Sequence, residues 1–211
     1  MRIFPLIATV VGLGLAGPAH AHEIWIERDR DGPARIYLGE PAEPLPEGGD
    51  PEFAKLKAPR LLSRPGATMA RKAGYLEASV PAGDVRAWDD GVFAPWGPEG
   101  KKEGVVYYAR AGRQEPRALL PLEIAPVSAN GDRFALTRDG TPVPGATVTV
   151  ITPDKWSKTL VTDAQGVIEV PLREKGRYLL SAARKDEGAA QLPGGAVSTV
   201  HRITTTTFTA E

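Results

Sequence analysis

The sequence predicts an all-β protein of two antiparallel β-sandwich domains that follow a cleaved signal peptide. Three observations carry this reading. Short β-branched runs alternate with turn signals at intervals of roughly 8–12 residues, and no stretch keeps a helical apolar period. The 23 glycines and 20 prolines supply the turns that such a chain needs. About 190 residues remain once a leader is removed, more than a single ~100-residue sandwich uses.

Met1-Arg2 is a short cationic start, Ile3 to Leu15 is apolar, and Ala19-His20-Ala21 is a small-residue cleavage site, so residues 1–21 read as a secretory signal peptide. Ile24 to Glu27 and Arg35 to Leu38 then flank Asp29-Arg-Asp-Gly32 as a hairpin. Gly39 to Pro51 is rich in Pro, Gly and Glu and reads as a surface loop, and Phe53 to Leu62 as one or two helical turns limited by Pro59. Tyr75 to Val80, Val85 to Trp88, Val105 to Arg110 and Ala118 to Ile124 read as strands. Proline, Ser, Asn and Gly cluster between Pro126 and Gly131, which separates an N-terminal domain at 22–125 from a C-terminal one at 132–211.

In the second half, Arg133 to Arg138, the Asp139-Gly140 turn and Ala146 to Thr152 read as a hairpin. Strands at Lys158 to Thr162, Val167 to Val170, Tyr178 to Ala183 and Val197 to Thr209 follow, with Lys185 to Gly195 as a loop and Thr204 to Thr207 as β-branched filling. The blocks Gly140-Thr-Pro-Val-Pro-Gly-Ala146, Thr162-Asp-Ala-Gln-Gly166 and Gly176-Arg-Tyr178 resemble the prealbumin-like or carboxypeptidase-regulatory-like β-sandwich, an Ig-like class of module, across Asp132 to Thr209. Such a module recurs under many functions, so this resemblance implies fold alone.

Composition narrows the chemistry. With no cysteine, thiolate zinc, iron–sulfur and cysteine-nucleophile sites are excluded. Lysine plus arginine and aspartate plus glutamate balance at 26 each, so no strong field favours nucleic acid or an anionic membrane. After the leader no apolar stretch approaches the roughly 20 residues of a spanning helix. An exported, periplasmic protein without membrane insertion is the expectation.

Cleavage after Ala21 makes His22 the new N-terminus, where one residue offers two nitrogens, its α-amine and its imidazole, to a single ion. The other histidine of the mature chain is His201. Together they suggest a histidine-brace metal site, with His22 as anchor and His201 as distal ligand. Alternation puts His22 on the side of Ile24 and Ile26, away from Glu23, Trp25 and Glu27, and puts His201 on the side of Ile203. Cleavage after Ala19 is the alternative, and would expose His20-Ala21-His22 as a square-planar copper or nickel chelate. Asp89-Asp90 is a secondary carboxylate candidate that also reads as a turn, and Met69 a thioether that also reads as core. Trp25, Trp88, Trp96 and Trp156 offer a sugar-binding face or, more simply, anchors for two cores.

Across nearly the whole mature chain, Ala21-His-Glu-Ile-Trp-Ile26, Ala34-Arg-Ile-Tyr-Leu-Gly-Glu40, Val105-Val-Tyr-Tyr-Ala-Arg110 and His201-Arg-Ile-Thr-Thr205 resemble a periplasmic bacterial domain-of-unknown-function family. Its members carry a nickel or cobalt uptake (ABC-type transport) label. That resemblance implies a divalent transition metal as ligand and a membrane transporter or outer-membrane receptor as partner. Ligand chemistry adds copper, which exceeds nickel for a given nitrogen set. No hydrolase elbow, zincin helix, P-loop or dinucleotide fingerprint is present, so a metal carrier rather than an enzyme is expected. The alternatives are an envelope interaction module without metal and a copper histidine-brace oxidase.

Overall fold

The computed structural model describes residues 22–211, so the expected signal peptide at 1–21 lies outside the described residues. In chain order the strands are β1 Glu23–Glu27, β2 Ala34–Gly39, β3 Arg60–Leu61, β4 Ala70–Arg71, β5 Leu76–Ala78, β6 Val85–Asp89, β7 Glu103–Ala111 and β8 Leu122–Pro126. The second half adds β9 Arg133–Arg138, β10 Thr141–Pro142, β11 Thr147–Ile151, β12 Ser157–Val161, β13 Val167–Glu169, β14 Gly176–Leu192 and β15 Gly195–Ala210. The described residues are all-β, as the alternation predicts, and among them one 3-10 turn, Phe53–Lys55, stands where the sequence predicts one or two helical turns. Pro59 and the β3 pairing of Arg60 with Trp88 take the chain away from a helix there.

A seven-stranded sheet in the order β12-β11-β14-β15-β7-β6-β3 is the spine, and it draws strands from both sides of 126–131. Its β15–β7 junction is parallel, running from Thr199↔Glu103 to Thr207↔Ala111, an exception to the antiparallel expectation. A four-stranded sheet, β1-β2-β5-β4, covers one face, and β10-β9-β13 with β8 on β9 covers the other. Alternate residues of β7 serve the two cores: Val105, Tyr107 and Ala109 pack with Ile24, Ile36 and Leu38, while Val106 and Tyr108 pack with Leu122, Phe134 and Tyr178.

The threonine run of β15 is more than strand filling. Thr205 Oγ1 donates to the carbonyl of Ile24 at 2.7 Å, and Thr207 Oγ1 to that of Ile26, while Thr206 on the opposite face donates to the carbonyl of Ile124 at 2.7 Å. β1 and β8 are edge strands of the two covering sheets, and each is set edge-on against the spine. The hydroxyls satisfy carbonyls that burial would otherwise orphan. This placement buries both sides of β1. Its Ile24 and Ile26 enter one cluster, and Trp25 enters another with Tyr37, Ile151 and Leu179.

Two local expectations are corrected. Arg133–Arg138 does not pair with the strand at 147–151, because Asp139 and Gly140, both at positive φ, make a tight turn that returns Thr141–Pro142 onto β9. β11 pairs instead with β12 and β14. Lys185 to Gly195 is not a loop: the β14–β15 ladder continues through Lys185↔His201 to Leu192↔Gly195, with a bulge between Glu187 and Ala190. The outer arm is held because Gly104 has no Cβ, and a Cβ there would lie 2.4 Å from Leu192 Cδ1.

Candidate functional site

His22 stands immediately before β1, where β2 ends alongside at Gly39. The Pro/Gly/Glu loop that follows β2 folds back over this end. Gly49 and Gly74 cross there with backbone against backbone, since a Cβ on Gly49 would lie 2.2 Å from Gly74 Cα. That crossing brings Asp50 and Glu52 to His22. Asp50 Oδ1 accepts the Glu52 amide at 2.7 Å and lies 3.2 Å from His22 Nε2, while Glu52 Oε2 is 3.7 Å from His22 Nδ1. The second Glu52 oxygen accepts from Lys55, whose ammonium sits 4.6 Å over the Phe93 ring. Phe93 meets the His22 ring edge-on at 6.3 Å. His22 thus lies between two carboxylates that the sequence did not single out.

His201 is near the same end of the spine. β1 and β15 advance together, Ile24 over Thr205 and Ile26 over Thr207, so continuing that step places His22 level with Ile203 and His201 one pleat further out. His201 Nε2 is hydrogen-bonded to Glu103, and its ring stacks on Trp96 at 5.6 Å and 26°. Trp96 and Glu103 are in turn joined by reciprocal backbone hydrogen bonds of 2.9 and 2.8 Å. Among the described residues no hydrogen bond, ion pair or ring contact joins His22 to His201. Nor do those residues contain a ready group of three or more His, Asp or Glu side chains spaced around a metal ion.

Asp89 and Asp90 act as turn and surface groups: Asp89 Oδ1 accepts the Gly91 amide at 2.7 Å, with burial raising its pKa, and Asp90 accepts from Arg60 Nη2 at 2.9 Å. Met69 packs partly buried against the first core. The tryptophans do not share one face. Trp25 stacks on Tyr37 at 5.2 Å, Trp88 lies 3.9 Å beneath the Arg60 guanidinium, Trp96 covers His201, and Trp156 is 74% exposed and so anchors no core.

Glu23 turns its carboxyl into the gap between β1 and β14. Ser181 Oγ donates to Oε1 at 2.7 Å, whereas Oε2 has no partner among the described residues. Burial pushes this carboxyl up to about 7, against the smaller opposite effect of Ser181. A carboxyl raised in the folded state stabilises the fold fully below about pH 4.5, and that contribution is lost as pH rises through 7. In chelator-treated protein, Glu23→Gln is therefore expected to be more stable than the parent above pH 7, by about 2 to 3 kcal/mol, and to converge with it near pH 4. Urea unfolding across pH 4–8 checks this, and parallel curves would count against a buried, proton-binding Glu23.

Comparison with protein families, with curated proteins and with solved structures finds no match to this chain. The described residues include no helix long and apolar enough to cross a membrane.

Proposed function

We propose that the chain is an exported, non-catalytic carrier of a divalent transition ion, copper(II), nickel(II) or cobalt(II), that delivers its ion to a membrane uptake or homeostasis system in the periplasm. One observation supports the reading: Asp50 Oδ1 lies 3.2 Å from Nε2 of His22, which leaves Nδ1, 3.7 Å from Glu52, as the ring nitrogen without a hydrogen bond among the described residues. Nδ1 is the nitrogen that closes a six-membered chelate ring with the α-amine of the same residue. A carboxylate that accepts the other ring N–H fixes tautomer and orientation and makes the ligating nitrogen more basic. Glu52, 3.7 Å from Nδ1, supplies a third donor once it leaves Lys55.

The donor set fits the group. Amine, imidazole and carboxylate suit a borderline transition ion and do not suit magnesium or calcium. The amine is a main-chain group created by cleavage after Ala21, so the site needs fewer side chains than a fully side-chain site. Its ordinary pKa near 8 means that binding releases a proton and tightens with rising pH. His201 with Glu103 forms a second imidazole–carboxylate pair nearby and stands as the candidate distal ligand.

The test is copper(II) and nickel(II) calorimetry on secreted protein whose terminus has been fixed by intact mass. His22→Ala and a variant with one added N-terminal glycine are each expected to bind at least tenfold more weakly, about 1.4 kcal/mol, and Asp50→Asn to lose roughly tenfold. Equal affinity in the blocked, mutant and parent proteins would refute the chelate. A parent that binds neither ion would favour the metal-free envelope module. His201→Ala separates the two histidines: weaker binding adds His201 to the shell, and unchanged binding confines it to its pair with Glu103.

A further inference from the structure

At the opposite end of the spine, where β1, β7 and β15 finish, a cleft of about 1030 Å³ opens between the covering sheets. Its cations are unusual for this molecule. Arg35, Arg86, Arg110, Arg138, Arg177 and Arg202 are at least partly buried, and each pairs with a carboxylate. Arg28 and Arg113 are likewise partly buried, yet among the described residues neither has a carboxylate within ion-pair distance, and both line this cleft.

Backbone carbonyls meet only part of their needs. Arg28 donates from Nε to Gly32 at 2.8 Å and from Nη1 to Gly83 at 2.5 Å, while its buried Nη2 finds no acceptor. Arg113 donates from Nη1 to Gly131 at 3.0 Å and lays its guanidinium 4.8 Å from the Phe208 ring centre. Burial lowers the Arg113 pKa, against the smaller opposite pull of the Asp132 and Glu211 carboxylates, neither of which comes within ion-pair distance. A desolvated, unpaired cation is costly, and an incoming anion offsets that cost.

The acidic groups of the cleft are largely committed elsewhere. Asp29 holds Arg35 at 2.6 Å and Arg177 at 2.5 Å. Asp84 holds Arg110 at 2.5 Å and accepts the amides of Gln114 and Glu115. Asp31 and Glu211 remain, both exposed, and line the cleft together with Arg28, Arg30 and Arg113.

We propose that this cleft binds a small oxyanion, a carboxylate or a phosphate group, between Arg28 and Arg113. The forked donors of arginine suit either group, and Phe208 keeps the Arg113 fork flat and aimed. The inference is independent of the His22 site, which lies at the other end of the sheet.

The experiment uses chelator-treated mature protein, so that a failure of the metal reading leaves it intact. Inorganic phosphate and succinate are titrated at constant ionic strength, with calorimetry and amide NMR as readouts. Saturable binding is expected, with shifts centred on Gly112, Arg113 and Thr209, and at least tenfold weakening in Arg113→Gln and in Arg28→Gln. Arg64→Gln, an exposed arginine outside the cleft, is the control for general charge and should bind as the parent does. Tighter phosphate identifies a phosphoryl ligand, and tighter succinate a carboxylate. Shifts that fail to saturate, or equal affinity in parent and Arg113→Gln, would overturn the assignment.

Discussion

Glu123→Ala is expected to lower the unfolding free energy by about 3 to 5 kcal/mol, because it removes the carboxylate shared by two buried guanidiniums and leaves one of them, Arg86, without any counter-charge. Glu123 and Arg110 are fully buried and Arg86 is 5% exposed. Oε1 of Glu123 accepts from Arg86 Nε at 2.7 Å and from Arg110 Nη1 at 2.8 Å, and Oε2 accepts the amides of Leu119 and Leu120 at 2.6 and 2.8 Å. Arg110 retains Asp84 after the change, but Arg86 is left with only the carbonyl of Arg117 at 2.8 Å. Four donors lose their acceptor, those of Arg86, Arg110 and Leu120 in buried hydrogen bonds, and truncation of one partner in such a network costs far more than the network's net value. Urea denaturation gives the result directly as a fall in midpoint at unchanged slope. A loss below about 1 kcal/mol would mean that water reaches Arg86 and that the junction of β6, β7 and β8 is not closed as described.

That network shows where sequence reading stops. Alternation made the strands legible, and the Asp29 to Gly32 turn gave the β1–β2 hairpin its register, Glu23↔Gly39 to Glu27↔Arg35. The same alternation did not single out Arg86, Arg110 and Glu123, since a period of two cannot say whether the far side of a strand meets water or a third layer. The edge-on seating of β1 escaped for a related reason: three adjacent buried residues, Ile24, Trp25 and Ile26, carry no alternation at all.

At the candidate site, His22 stood out in the sequence because the cleavage pattern expected before it is local. Asp50 and Glu52 were not, because Asp50-Pro51 reads first as turn chemistry and its placement beside His22, 28 residues away, depends on a backbone crossing that no local pattern encodes. The one available signal was the pair Gly48-Gly49 just before Asp50, a hint of close backbone approach rather than of flexibility. Trp156 failed in the opposite direction: a large aromatic ring predicts burial, yet the position beside edge strand β12 leaves it in solvent.

Gly49→Ala should destabilise the protein by about 3 to 5 kcal/mol and weaken the metal binding proposed for His22 in the same variant. Gly49 has φ +92, and an added Cβ would lie 2.2 Å from Gly74 Cα and 3.2 Å from Gly74 N and C. Those are main-chain atoms, so no side-chain rotation relieves the contact, and the 40–50 loop must lift. Asp50 is the next residue, so lifting the loop separates Asp50 Oδ1 from His22 Nε2 and releases the ring from its fixed orientation. Gly48→Ala is the internal control. At φ +87 it carries nearly the same backbone strain, but a Cβ there meets nothing within 4 Å. It should cost only about 1 to 2 kcal/mol and leave metal affinity unchanged. The difference between the two variants isolates the Gly49–Gly74 crossing from left-handed strain. Equal losses of stability with unchanged affinity in both would mean that the crossing does not hold the carboxylates, and the orientation of His22 would then have to come from β1 alone.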